Sequence, residues 1–357
     1  MSAIHTPHTP WRRLVGVGVG LATAVTVIVL AFSWPAVTSD VHDLPVAISG
    51  DAARIEQVES AFESNAPDTF DFVTVDNKDA AVDAIESRAV YGAVLLSQSP
   101  EVLTSSAASA TVAQLLGGVA TQLQAQAQAG ADAAAAAAGF DAPTITVQVT
   151  DVVPLADADP RGAGLASAVF PLVIGGMLGG ILITTVVVGA WRRLVTLFVY
   201  AGVAGLVVPA ILQGWFGVLQ GDYIVNVGVF ALALLAIGAP IVGLAALVGR
   251  AGIAIGPVLF LLIGNPISSA NAPLEFLPQP WGLVGQYLPP GAGATLLRDA
   301  SYFPQANVAF PILVLGAWAF AGVVLGLVGH FRASGGATQA ALDEAGADSA
   351  GEERLVA

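Results

Sequence analysis

Residues 14–34 read LVGVGVGLATAVTVIVLAFSW, 21 residues with no charge and no proline. About 20 consecutive apolar residues span the hydrocarbon core of a bilayer. The pair Arg12-Arg13 stands immediately before the run. The apolar core of a cleaved signal peptide is shorter, about 7–15 residues. A retained helix is therefore expected here, and a cleaved leader cut near Ala36–Ser39 is the alternative.

Working outward, the same character returns after Gly162. Apolar runs at about 164–190, 194–219, 223–249, 252–264 and 308–331 predict five further spans. The whole chain is 55% hydrophobic and 11% charged, against about 25% charged in an ordinary globular domain. Water-facing surface needs polar side chains, so lipid must cover much of this chain. The expected fold is an α-helical polytopic membrane protein with six transmembrane helices and an inserted extracytoplasmic α/β domain. Its parts would be a cytoplasmic tail (1–13), the first span (14–34), the α/β domain (35–162), a five-helix membrane domain (163–331) and a disordered cytoplasmic tail (332–357).

Residues 35–162 differ sharply from what surrounds them. Between Asp40 and Arg161 stand 18 acidic and four basic residues, so this segment alone carries the chain's net charge of -14. Such a surface repels nucleic acid, which binds through Lys and Arg neutralising its phosphates. Short strands are expected at 44–48, 70–75, 89–96 and 144–153, with helices at 51–64 and 77–87, the rhythm of a small α/β domain. Residues 107–138, rich in Ala and Gln, favour one long helix, whose stripe of Val112, Leu115, Leu116, Val119 and Leu123 could pack on the domain or on a partner.

Arginines set the expected orientation. Arg12, Arg13, Arg192, Arg193, Arg250 and Arg332 all fall on one side of a six-span arrangement, and basic residues mark the cytoplasmic side. Both termini are then inside a plasma membrane and the acidic domain is outside, with Arg161 and Arg298 as outward-facing exceptions.

The chemistry the sequence lacks narrows its function. It has no cysteine, so disulfides, thiol catalysis and thiolate metal sites are excluded. Its four histidines are scattered, and His5 and His8 sit in a Thr/Pro-rich tail. A P-loop needs a lysine after a glycine-rich run, but the only lysine, Lys78, lies in VDNKDAA. GxSxG and HExxH are absent. No catalytic residues, metal or cofactor are expected. The span interiors contain no Asp, Glu, Lys, Arg or His, whereas ion-coupled carriers place such groups at membrane depth.

Gly175, Gly176, Gly179 and Gly180 form two overlapping GxxxG patterns, and Ala201 with Gly205 forms another small pair. Such spacing lets helices approach closely, either within the bundle or across a dimer. Pro171, Pro209, Pro240 and Pro257 interrupt spans, as hinges or as static kinks. Residues 265–307 are apolar yet crowded with prolines, which places them at the outer interface, partly re-entrant. Trp281, Tyr287 and Tyr302 would anchor them there.

Within IGPVLFLLIGNPISSANAPLEFLPQPWGLVGQYLPPGAGATLLRDASYF (255–303), Gly256-Pro257, Gly264-Asn265-Pro266, Leu277-Pro278, Trp281, Leu288-Pro289, Gly291, Arg298 and Tyr302-Phe303 follow one pattern. It resembles the carboxy-terminal region of ABC-2-type membrane permeases and of the related phage-infection-protein (YhgE/Pip) family. The layout of one helix, a large outer domain and five helices is similar too. The resemblance implies a permease-like subunit working as a homodimer or hetero-oligomer, with ATP hydrolysis on a separate subunit. A Pip-like envelope scaffold or receptor that binds a protein through its outer domain is the alternative. The chain departs from the permease pattern in its short tail before Trp11 and in a second connection of little more than Trp191-Arg192-Arg193. Arg298 is expected to order the proline-rich segment or to meet an anionic lipid headgroup; a solvated interfacial arginine is the other reading.

Overall fold

The structure, a computed structural model, describes residues 10–332 apart from Gln98 and the side chain of Asn65. The histidines at 5 and 8 and the tail from residue 333 lie outside the described residues. Helix α1 (Trp11–Thr38) takes up the whole opening apolar run and continues through Pro35, the one buried residue in it. An apolar helix with so little packed on it matches lipid rather than water. Near its carboxy end the Trp34 ring meets Trp281 edge-on at 6.0 Å. Just beyond, the Asp40 N–H donates to the Phe276 carbonyl at 3.2 Å.

The acidic segment folds as β1 (Leu44–Gly50), α2 (Ala52–Asn65), β2 (Phe70–Thr74), α3 (Lys78–Glu86), β3 (Gly92–Leu96), β4 (Glu101–Thr104), α4 (Ala110–Ala138) and β5 (Gln148–Asp151). The strands form one sheet in the order β2-β1-β3-β4-β5. Strands β1, β2 and β3 run parallel, β4 turns back against β3, and β5 is parallel to β4. Central β3 is buried along its length, which is why its sequence is apolar without alternation. On one face Leu44, Val46, Ile48 and Val102 pack with Val112, Leu116 and Val119 of α4. On the other, Ala47, Ala93 and Leu103 pack with Ala81 and Ile85 of α3. The expected elements are present, and the α4 stripe meets its own domain. Strand β4 is an addition to those elements.

Beyond the sheet lie α5 (Ala163–Val186), α6 (Ala190–Pro209, continued by a π-helical turn Ala210–Trp215) and α7 (Tyr223–Val248). They are followed by α8 (Arg250–Gly256, continued by a π-helix Pro257–Gly264). The proline-rich segment then contributes a 3-10 turn (Leu274–Phe276) and the α-helices α9 (Trp281–Gln286) and α10 (Pro289–Tyr302), before α11 (Ala309–Arg332). Among the described residues five helices are long and apolar enough to cross a membrane: α1, α5, α6, α7 and α11. The run expected as a span at 252–264 belongs to a shorter apolar helix, Arg250–Gly264, bounded by a charge at one end and by Asn265-Pro266 at the other. Proline also marks both π-helical stretches, since Pro209 precedes the first and Pro257 opens the second. Proline lacks the N–H that an α-helical turn would use, and the wider π turn lies beside that gap.

Helix α7 is the hub, packed by α5, α6, α8, α10 and α11. The α5 glycines serve this packing. A Cβ on Gly176 would stand 2.8 Å from Ile237 Cβ, and one on Gly180 would stand 3.0 Å from the Gly238 carbonyl oxygen. The Gly175 carbonyl accepts the Tyr200 hydroxyl at 2.8 Å, and Gly179 faces the same ring. All four therefore face α6 or α7 of their own chain.

Candidate functional site

The proline-rich segment, residues 265–307, is built by close backbone approach. A Cβ on Gly285 would overlap the Ile267 carbonyl, and one on Gly291 would overlap the Gly285 carbonyl. Pro289 and Pro290 open α10. Proline suits a first helical turn, where its missing N–H has no partner to lose. Asn265 closes the preceding π-helix through its N–H to the Phe260 carbonyl at 2.9 Å, Pro266 follows it, and the Pro278 carbonyl accepts the Trp281 N–H at 2.9 Å. Gln286 donates to the Ser268 carbonyl at 3.2 Å and accepts from Thr295 at 2.7 Å, tying α9 and α10 to the start of the segment. Helix α10 packs against α5, α7 and α11.

The α/β unit docks on this segment through the turn between α3 and β3. Arg88, held at φ 59°, pairs with Asp299 of α10 and lies 5.3 Å from the centre of the Phe303 ring. Tyr91 donates to Glu275 at 2.9 Å, and Gln305 donates to Glu86. Burial pushes the Asp299 carboxyl up, against the pull of Arg88. Burial likewise raises Glu275 and, joined by the Glu275 charge, Tyr91. One turn of the α/β unit thus supplies a cation, a phenol and a carboxylate to complementary partners on the segment.

Arg298 stands beside this cluster. Its Nη2 donates to the Ala270 carbonyl at 3.1 Å, while its Nε is buried without an acceptor. Burial, then the nearby Arg88 charge, pushes it down to about 10, so it remains a cation at neutral pH. Its bond to Ala270 orders the segment, and it is not a freely solvated side chain. Trp281 and Tyr287 are exposed, at 42% and 62%, as interfacial anchors would be. Tyr302 is not: it is buried and donates to the Val218 carbonyl at 2.7 Å. Its hydroxyl has a protein acceptor within reach, so it packs inward and joins α10 to the α6–α7 connection.

The residues that stand out in the sequence, Asn265, Pro266, Pro278, Trp281, Pro289, Gly291 and Arg298, all belong to this segment. Arg88, Tyr91, Glu275 and Asp299 do not stand out there, because their pairing spans distant parts of the chain. No protein-family model, curated protein or solved structure matches the chain.

Proposed function

We propose that the chain is the membrane-spanning, permease-like subunit of an ABC-2-type export system. Six spans, with Arg250–Gly264 as the short one, put both termini in the cytoplasm and the α/β unit outside a plasma membrane. ATP hydrolysis belongs to a separate subunit, the working form is a homodimer or hetero-oligomer, and the cargo is amphipathic or lipid-like. The observation that carries this reading is the plug of short helices, α9 and α10, with α10 seated against α7 and α11 of the bundle and fastened to the α/β unit by Arg88 and Asp299. Helices without Asp, Glu, Lys, Arg or His in their interiors offer no charged site for a coupling ion, so an exporter of this kind would be driven from outside the chain.

A second reading, an envelope scaffold or receptor of Pip type, is favoured by the opposite end. Only residues 187–189 join α5 to α6, and Gly249 alone joins α7 to α8, which leaves an ATPase little to grip there. Cross-linking in the native membrane, gentle detergent purification and mass spectrometry separate the two. Near-stoichiometric recovery of a P-loop ATPase supports the permease. Recovery of the chain alone, or with envelope proteins bound through the α/β unit, supports the scaffold.

A further inference from the structure

Two cavities meet where the α/β unit joins α5. The first, about 220 Å³, is lined by Arg161, Arg298 and the first turn of α4 at Ala110 and Thr111. The opening N–H groups of a helix have no partner within it and carry its positive end. Here that end belongs to a 29-residue helix. Arg298 also lines the cavity, with its Nη2 donating to the Ala270 carbonyl at 3.1 Å. Two carboxylates border the cavity, each accepting from a residue that lines it: Asp159 from the Leu165 N–H at 2.9 Å and Asp151 from the Ser106 N–H at 3.0 Å.

The second cavity, about 430 Å³, lies between α1 and α5 and is lined by Phe32, Val169, Phe170 and Leu277. Ala166, Asn271 and Ala272 line both. A cavity lined by two arginines therefore shares a wall with a partly apolar slot beside a helix, α1, that is otherwise exposed.

We propose that the two cavities form one site for an anionic phospholipid, its phosphate held by Arg161, Arg298 and the α4 amino terminus and an acyl chain lying between α1 and α5. Arginine forms paired, charge-assisted hydrogen bonds with phosphate oxygens, and two arginines line this cavity. The inference rests on the membrane-spanning reading and is independent of transport.

The test uses the full chain in nanodiscs containing phosphatidylglycerol and phosphatidylcholine, with retained lipid read by native mass spectrometry. Phosphatidylglycerol should be retained about tenfold over phosphatidylcholine, and that preference should fall close to parity in Arg161→Gln and in Arg298→Gln, since losing one charge-assisted bond costs about tenfold or more. Arg161 is exposed, so its variant keeps the test valid if Arg298→Gln fails to fold. Equal retention of the two lipids, or a preference unchanged in Arg161→Gln, overturns the proposal. Displacement of phosphatidylglycerol by millimolar inorganic phosphate overturns the lipid assignment in favour of a free anion. Neither result depends on whether an ATPase is recovered with the chain.

Discussion

Arg88 and Asp299 are 211 positions apart in sequence, and nothing in either neighbourhood announces the other. Their side chains keep 18% and 6% of their exposure, so removing one partner strands the other. Arg88→Ala should destabilise the protein by about 2–4 kcal/mol, somewhat below the cost of breaking a fully buried pair. Arg88→Ala combined with Asp299→Asn should be less destabilised than Arg88→Ala alone, because a neutral amide needs no counter-charge. Thermal unfolding in detergent measures both, and equal losses would mean that the pair is not coupled. Tyr302 marks the limit of residue-level reading. An aromatic ring with a polar tip looks the same in sequence whether the tip meets an interface or a buried carbonyl. Arg298, by contrast, is legible as a residue of consequence because it is a charge inside an apolar stretch.

At the scale of elements, the long apolar helices and the first three strands can be read directly, since each carries a sustained run or a clear period. Strand β4 cannot. Its four residues, Glu101–Thr104, are too few to show alternation, and its pairing with β3 is decided by tertiary contact. The glutamines of α4 also acquire a purpose only in three dimensions. Gln128 accepts the Ile145 N–H at 2.7 Å and Gln124 accepts the Val147 N–H at 3.1 Å, guiding the chain into β5. Gln128→Ala should cost about 1 kcal/mol and speed amide exchange at Ile145; unchanged exchange there would assign the guidance to other contacts. Glu101 joins three elements, accepting from Lys78 of α3 at 2.7 Å and from Thr150 near β5's centre at 2.7 Å. Its carboxyl is held below its ordinary value of 4.5, chiefly by the Lys78 hydrogen bond. The stabilisation is therefore present above that ordinary value and lost as pH falls through the lowered one. Glu101→Gln should flatten the acid limb of the stability profile, read by circular dichroism, and an unaltered limb would refute the link.

For the whole molecule, the absence of cysteine makes topology directly measurable. Single cysteines placed at Glu59 in α2 and at Gly189 between α5 and α6 should react oppositely with a membrane-impermeant maleimide in intact cells. Glu59→Cys should label and Gly189→Cys should label only after permeabilisation; the reverse pattern would invert the proposed orientation. The α/β unit is mounted on the chain at two covalent points, where it continues from α1 and where it runs into α5. A body held at two points can still swing about the line between them, as a door does on its hinges. The contact of Arg88 with Asp299 lies elsewhere on the unit and acts as a latch. That rotation becomes available only when the ion pair and its neighbours, Tyr91 with Glu275 and Gln305 with Glu86, let go together.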